Sequence, residues 1–293
     1  MYEWMVTQTM SDHLLVRDSQ MFIRKQKDRF GMTMQVLIAT MNQKDHSLLD
    51  RMNIQTDAIV GNQCDRNEIE VFKYKGHMIK WLNFDECGVG LNRNNALFRA
   101  TADICILADD DMRFVDGYPA IVSNAFSQNE AASVIVFNIN DNGKRYKNKK
   151  VTRIYQWNYA KYGAARLAFR RENVLLNGIS FNLFFGGGCK YSNGEDTLFL
   201  KSCLDYKLKI YAVPEAIAHI DDTRISTWFQ GYNDKYFFDK GVLFCVLNRK
   251  LCKINAMYHC WKHRKKYTDY GWVRGFYQMH SGIDYAKKQY QVR

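Results

Sequence analysis

The sequence has little proline and no long hydrophobic run. Only 2 of its 293 residues are proline, and no Ser/Gly/Pro-rich stretch, internal repeat or low-complexity segment suggests a flexible linker. Nowhere do about eighteen apolar residues run together, so no transmembrane helix is expected. Residues 1–30 lack the apolar region of a secretory signal, and the 8 cysteines are scattered without a CxxC pair. Scattered cysteines are typical of a reducing cytosol, so we expect a cytoplasmic protein.

Positive charge is concentrated at one end of a chain that is otherwise nearly neutral. The hydrophobic content of 47% suits one large α/β domain with a full core. Of the net charge of +12, residues 241–293 carry +9, from 11 Lys and Arg against 2 Asp. A nearly neutral body with a basic, aromatic-rich tail is therefore expected.

Apolar runs alternate with helical patterns over the first half of the chain. Buried strands are predicted at residues 34–40, 57–61, 78–82, 104–108 and 134–138, and helices at 10–29, 47–52, 91–101 and 198–203. The stretch 141–150 is basic and polar and is expected to be a loop or hairpin. Strands that alternate with helices predict an α/β fold with a Rossmann-like, mostly parallel central sheet and right-handed crossovers.

Three consecutive carboxylates follow one of these strands. Asp109, Asp110 and Asp111 come directly after the apolar run 104–108, at the carboxyl end of a strand, where open α/β sheets bind ligands. Because adjacent like charges repel, a bound cation or full solvation must offset them. The triplet therefore predicts a metal site, with a solvated acidic turn as the alternative.

A second acidic pair follows a glycine-rich segment. Gly186, Gly187 and Gly188 precede Glu195 and Asp196, which open a predicted helix. Carboxylates in a first helical turn face the positive end of the helix dipole, so capping is one explanation. The glycines, which permit close approach, and the upstream triplet favour a catalytic role.

Four motifs in order resemble those of the family 2 glycosyltransferases of GT-A fold. They are a Gly and an Arg-Asn pair opening a helix in residues 88–97, the strand ending in Asp-x-Asp at 102–111, the Glu-Asp motif at 194–197, and Val213-Pro214 followed by His219. The likeness covers about residues 34–240, and the triple glycine and Ser226–Phe229 are similar to bacterial polysaccharide-assembly members. It implies a GT-A domain at 32–240, an N-terminal helical extension at 1–31 and a basic helical extension at 241–293.

The resemblance implies a role for each matched residue. Asp111 and Asp109 would hold Mg²⁺ or Mn²⁺ on the nucleotide diphosphate, with Asp109 or Asp110 facing the ribose. His219 would be a further metal or diphosphate contact, although it could instead cap a strand end. Asp196 would be the general base, and Glu195 would orient it or the acceptor. The remaining nucleotide contacts would be Thr40, Gln63, Asp65 and Arg93, although Arg93 could equally be solvated at a helix start.

The second strand departs from the family pattern. It leads into Gly61-Asn62-Gln63-Cys64-Asp65 where the family has an Asp-Asp-Gly-Ser type of turn whose acid contacts the base. The amide of Gln63 can still pair with a uracil edge by donating and accepting hydrogen bonds. A UDP-sugar is therefore the expected donor.

Sugar transfer needs two separate acidic groups. A metal neutralises the departing diphosphate, while a carboxylate on the opposite face of the sugar activates the acceptor hydroxyl. A base that faces away from the leaving group implies inversion. We expect the acceptor to be a glycan or a polyprenyl-diphosphate-linked molecule in cell-surface polysaccharide synthesis.

The tail offers a second possible interaction. Residues 251–267 interleave apolar and basic side chains and predict an amphipathic helix, which would either bind an anionic membrane surface at the inner leaflet or pack on the catalytic domain. A zinc cluster of Cys252, His259, Cys260 and His263 is disfavoured because the CxxC spacing is missing.

Two other classes of function remain to be weighed. The pI of about 9.2 and the acidic triplet would also suit a nucleic-acid-binding or metal-dependent phosphoryl-transfer protein. The sequence contains no Walker loop, RNA-binding strand pair or helix-turn-helix pattern, so no nucleic-acid partner is expected. A non-catalytic module with this fold is disfavoured because both acidic clusters are intact.

Overall fold

The computed structural model describes residues 31–141, 146–220 and 231–289. Three sequence predictions lie wholly or partly outside these ranges. They are the N-terminal helix at 10–29 with its extension at 1–31, part of the loop at 141–150, and the segment Ser226–Phe229.

The described residues form ten strands and eight α-helices. The strands are β1 (Met34–Met41), β2 (Asp57–Gln63), β3 (Glu68–Tyr74), β4 (His77–Phe84), β5 (Ile104–Asp109), β6 (Met112–Phe114), β7 (Val134–Asn140), β8 (Thr152–Ile154), β9 (Leu167–Arg170) and β10 (Ile210–Ile220). The helices are α1 (Leu48–Arg51), α2 (Val89–Arg99), α3 (Tyr118–Gln128), α4 (Arg171–Leu176), α5 (Glu195–Asp205), α6 (Asp234–Leu247), α7 (Cys252–Lys262) and α8 (Trp272–Gln289).

All ten strands join one sheet, in the order β3-β4-β2-β1-β5-β9-β7-β10-β6, with β8 paired to β10. The predicted parallel arrangement is present in the block β4-β2-β1-β5 and in the β7-β10 pair. Within the described ranges the other five of nine strand pairs are antiparallel, so the sheet is mixed and less parallel than the sequence predicts. The difference arises because β3, β6, β8 and β9 are short or exposed strands without a continuous apolar run.

The sheet carries a hydrophobic core on each face. Alternation along β1 places Leu37 in one core cluster and Ile38 in the other, and Ile59 and Val60 of β2 divide in the same way. Helix α3 covers the first face with Phe126, while α2 and α5 cover the second. Because both faces are buried, the central strands are uniformly apolar, which is why they are visible in the sequence.

Helices α6, α7 and α8 build a third core cluster, which also contains Phe185 and Tyr191 from the glycine-rich segment. Helices α6 and α8 approach at their glycines, where an added Cβ at Gly241 would overlap the carbonyl oxygen of Met279. The basic tail is thus helical and packs on the rest of the described protein. The predicted boundary between residues 240 and 241 falls inside α6, and the domain division stays a prediction.

None of the helices in the described ranges is long and apolar enough to span a membrane.

Candidate active site

The carboxyl ends of the parallel strands bring several predicted site residues to one edge of the sheet. Thr40 lies near the end of β1, Gln63 ends β2 and Asp109 ends β5. The register pairs Ala39 with Asp109, and Thr40 with Asn62. Residues from three separated segments therefore meet where open α/β sheets bind their ligands.

A short hydrogen bond joins the first strand to the acidic triplet. Thr40 Oγ1 donates to Asp110 Oδ2 at 2.6 Å, and Gln43 Nε2 donates to Thr40 Oγ1 at 2.9 Å. The acidic turn is therefore joined to the end of the first strand. The side chain of Asp109 remains 41% exposed and can be reached by a ligand.

Arg93 connects the two acidic clusters. Its Nη2 donates to Asp109 Oδ1 at 2.7 Å, and its Nη1 donates to Glu195 Oε1 at 3.0 Å. The helix α2 supplies this arginine from its second turn, after a glycine N-cap at Gly88 whose φ of 116° favours glycine. The Asp-x-Asp strand and the Glu-Asp motif are thus parts of one site.

The guanidinium of Arg93 is buried, with its side chain only 5% exposed, so it is not a solvated residue at a helix start. Burial opposes its charge, but Asp109 and Glu195 outweigh burial and raise its pKa. It lies 5.6 Å from the ring centre of Phe181. Within the described ranges its Nε has no hydrogen-bond partner.

Glu195 and Asp196 open helix α5, and neither of them is its N-cap residue. The N-cap residue is Gly194, which has a φ of 119° and provides no side-chain cap. Glu195 instead faces Arg93, while Asp196 Oδ1 accepts a hydrogen bond from the Thr197 amide at 2.6 Å. The helix start therefore presents two carboxylates with different environments.

The environment of Glu195 favours its protonated form. Burial, and next the charge of Asp196, raise the pKa of Glu195 to about 7, although Arg93 acts in the opposite direction. This carboxyl group therefore titrates near neutral pH.

The glycine-rich segment lies directly against the acids. Gly186 has a φ of 110°, and a Cβ there would lie 2.8 Å from Glu195 Oε2 and 2.5 Å from Val89 Cγ1. Only a glycine allows the backbone this close to the carboxylate. The close approach predicted from the triple glycine is present.

Lys240 is a site residue that sequence reasoning missed. It projects from α6 into the interior, where its Nζ donates to Asn193 Oδ1 at 3.0 Å. Burial lowers its pKa, and the negative charges of Asp196 and Glu195 partly compensate. No local motif marks this lysine, because its position depends on how the C-terminal helices fold back over residues 185–194.

The two residues after β2 are placed differently. Gln63 is buried, and its Oε1 accepts a hydrogen bond from the Gly88 amide at 2.9 Å. Asp65 is exposed in the turn that leads to β3. Gln63 therefore fixes the start of α2, and its carbonyl oxygen is already engaged there.

Asp111 and His219 lie at neighbouring strands. Asp111 directly precedes β6, and the exposed His219 pairs in register with Arg113 of β6. Across the described part of the chain, no three His, Cys, Asp or Glu side chains are gathered as a metal site. Mg²⁺ and Mn²⁺ on nucleotides are commonly held by one or two carboxylates plus the phosphates. The assignment of a metal ion to Asp109, Asp111 and His219 stays a prediction.

Comparison with solved structures finds TarS of S. aureus, a family 2 glycosyltransferase. The crystal structure of TarS 1–349 in complex with UDP-GlcNAc matches with a TM-score of 0.56 and 15% identity, over 81% of this chain and 74% of that chain. The UDP complex gives a TM-score of 0.54 at 15% identity over the same shares. A further TarS structure gives 0.53 at 14%, over 84% of this chain and 45% of that chain.

No protein-family model matches the chain, and no curated protein matches it. At such low identity the likeness to TarS shows the fold alone. The GT-A fold, with its central sheet flanked by helices, is thereby confirmed.

Proposed function

We propose that this protein is a glycosyltransferase that moves a sugar from a nucleotide-sugar donor to a hydroxyl group of a glycan or lipid-linked acceptor in polysaccharide synthesis. The observation that carries the proposal is the pair of ion pairs from Arg93 to Asp109 and Glu195. They assemble two acidic clusters at the ligand-binding edge of the sheet. The shared fold with TarS, which binds UDP-GlcNAc, supports a nucleotide-sugar donor.

The donor would bind across the ends of β1, β2 and β5. Asp109, and Asp110 with its hydrogen bond from Thr40, would accept hydrogen bonds from the ribose. The amide nitrogen of Gln63 could donate to a uracil, since the carbonyl oxygen is engaged by Gly88. Asp65, two residues further on, is exposed in the turn before β3 and would be a further nucleotide contact. A UDP-sugar is the donor that we propose.

The diphosphate would be bound with Mn²⁺ or Mg²⁺. Asp111 and Asp109 would hold the ion, and His219 would be a further contact to the ion or to the diphosphate. When bound, it would neutralise the charge that develops on the departing diphosphate. The protein's own contribution is to keep the acids in position through Arg93 and Thr40 before the donor arrives.

Asp196 would act as the general base. It would take the proton of the acceptor hydroxyl while that oxygen bonds to the anomeric carbon, and the bond from this carbon to the diphosphate oxygen breaks. Glu195 is held by Arg93 and would position the base. With the base on the face of the sugar opposite the departing diphosphate, transfer would invert the configuration.

Metal-dependent phosphoryl transfer is the alternative that the sequence leaves open. A site with two Mg²⁺ ions requires several carboxylates around both ions. The shared fold with TarS, which was solved in complex with UDP-GlcNAc, supports sugar transfer instead. A cytoplasmic location stays a prediction from the sequence.

The experiment is a measurement of UDP release from a panel of UDP-sugars, with and without Mn²⁺, together with UDP binding by calorimetry. We expect metal-dependent UDP binding in the wild type and its loss in Asp111→Asn. Asp116→Asn, which changes an acid beyond the other end of β6, is the matched control and should bind UDP normally. Metal-independent binding, or full binding by Asp111→Asn, would refute the metal assignment. Absence of any UDP-sugar binding would refute the proposed function.

A further inference from the structure

Helix α7 is apolar on two opposite faces. Its inner face is formed by Cys252, Ala256 and Cys260, which are buried against the neighbouring helices. Its outer face and the residue before it carry five large apolar side chains that are each 47% to 58% exposed, namely Leu251, Ile254, Met257, Tyr258 and Trp261. We call these five residues the outer stripe.

The outer stripe follows the period of the helix. At about 100° per residue its members span an arc of roughly 120°, centred opposite the buried face. A surface helix normally directs polar residues outward, and contiguous exposed apolar patches mark interaction sites. The outer stripe is therefore a surface that nothing in the described part of the chain covers.

Basic residues adjoin the outer stripe at the end of the helix. Lys262, Arg264, Lys265 and Lys266 are all exposed. No carboxylate within the described ranges pairs with any of these four. Arg264 lies 5.0 Å from the ring centre of Trp261, and Lys262 lies 5.4 Å from that of Tyr258. Aromatic rings and cations are thus presented together.

We propose that the outer stripe and this basic cluster dock the protein on an anionic membrane surface. Trp and Tyr favour the headgroup region, apolar side chains enter the acyl boundary, and Lys and Arg attract anionic lipids. A second copy of the chain fits less well, because a symmetric contact would bring two clusters of four positive charges together. The helix would lie on the bilayer, since no described helix can span it.

Docking would also fix the position of the candidate active site relative to the membrane. Helix α7 packs on α6, and α6 contributes Lys240 to the site and Leu243 against Gly194. The docked protein would then meet a lipid-linked acceptor in the membrane to which it is bound. This consequence rests on the proposed function, whereas the docking itself does not.

The test uses the full chain and sedimentation with vesicles. Vesicles of phosphatidylcholine alone are compared with vesicles that contain equal amounts of phosphatidylcholine and phosphatidylglycerol. We expect binding to the anionic vesicles only, and Trp261→Ser should weaken it about tenfold. The matched control is Trp157→Ser, which removes another tryptophan, 79% exposed, and should bind as the wild type does.

A second pair of variants tests the charge. The double variant Lys265→Ala/Lys266→Ala should bind roughly thirtyfold more weakly, at about 1 kcal/mol for each basic residue, and should lose part of the salt dependence. The double variant Lys149→Ala/Lys150→Ala removes two exposed lysines elsewhere and should bind normally.

Binding of UDP, measured on the same preparations, separates this proposal from the proposed function. Unchanged UDP binding with weakened vesicle binding supports docking by α7. Equal vesicle binding by Trp261→Ser and the wild type would overturn it. So would equal binding to both kinds of vesicle, or a change of oligomeric state in Trp261→Ser with vesicle binding intact, which would identify the stripe as a protein interface.

Discussion

Arg93 and Glu195 are 102 residues apart in the chain, yet their side chains form an ion pair of 3.0 Å inside the protein. Arg93 also binds Asp109, so one buried cation fixes the distance between the acids after β5 and the acids at the start of α5. This single side chain therefore sets the geometry of the whole candidate site.

Arg93→Lys is expected to damage both stability and transfer. An ammonium group cannot keep two parallel contacts in the geometry of a guanidinium, so one buried carboxylate loses its partner. We expect a loss of about 1 to 3 kcal/mol in the free energy of unfolding, measured in urea, and a large fall in sugar transfer. Arg99→Lys is the control on the same helix, because the Arg99 guanidinium hydrogen-bonds to Asn95 and not to the acids of the site. If both variants behave alike, Arg93 has no special role.

Asp196→Asn should separate donor binding from catalysis. The amide oxygen can still accept from Thr197, so the fold is kept while the basic oxygen is lost. We expect normal UDP-sugar binding and transfer reduced by roughly two to four orders of magnitude. The control is Asp205→Asn at the other end of helix α5, where the acid pairs with Lys201 at the surface. Transfer near the wild-type rate in Asp196→Asn would show that another group is the base.

Stability should depend on pH through Glu195. Its pKa is raised from 4.5 to about 7, mainly by burial, so between these values the folded protein holds a proton that the unfolded chain releases. The stability contributed by this proton is complete below about pH 4.5 and is lost as the pH rises through about 7. Glu195→Gln should therefore flatten the profile of unfolding free energy across this window.

The pH dependence of transfer should have the opposite sign. Protonation of Glu195 removes the charge that pairs with Arg93, so transfer should decline as the pH falls below about 7. Denaturation and rate measurements over a pH series test both trends. Glu215→Gln, which changes an exposed carboxyl group on β10, should leave both profiles unchanged. An identical acid limb in Glu195→Gln would assign the titration to another group.

Gly282→Ala should destabilise the C-terminal helices. A Cβ at this position would overlap the carbonyl oxygen of Phe238, and the same close contact occurs between Gly241 and Met279. We expect at least about 1 to 3 kcal/mol of lost stability from the forced separation of α6 and α8. Ser281→Ala, the exposed neighbour, should be close to neutral. An unaffected urea midpoint in Gly282→Ala would mean that the two helices do not pack closely.

The central strands could be predicted from the sequence because both of their faces are buried. The runs at 34–40, 57–61, 78–82, 104–108 and 134–138 all lie in observed strands. The missed strands β3 and β9 give a weaker signal in the sequence. Strand β3 is at the edge and largely exposed, and β9 is four residues long and is inserted between β5 and β7 by long-range pairing.

Site residues could be predicted where an acidic side chain stands at the end of a strand or at the start of a helix. Acids at a strand end and a helix start were visible, and the structure brings Asp109 and Glu195 to the same arginine. The burial of Arg93 and the position of Lys240 were not visible, because both depend on contacts between segments far apart in the chain. The hydrogen-bond partner of Gln63 could not be predicted either, because it depends on the position of Gly88, which follows β4.

The contact between Gly90 and the carbonyl oxygen of Asn182 has a consequence for engineering. A Cβ at Gly90 would overlap this oxygen, so helix α2 and the segment before the glycines are fastened together at one point of the backbone. The next two residues, Leu183 and Phe184, have exposed side chains. A library that varies these two positions should alter the surface beside the site while the backbone of the site stays in place. A library that includes position 90 should instead yield mostly inactive clones.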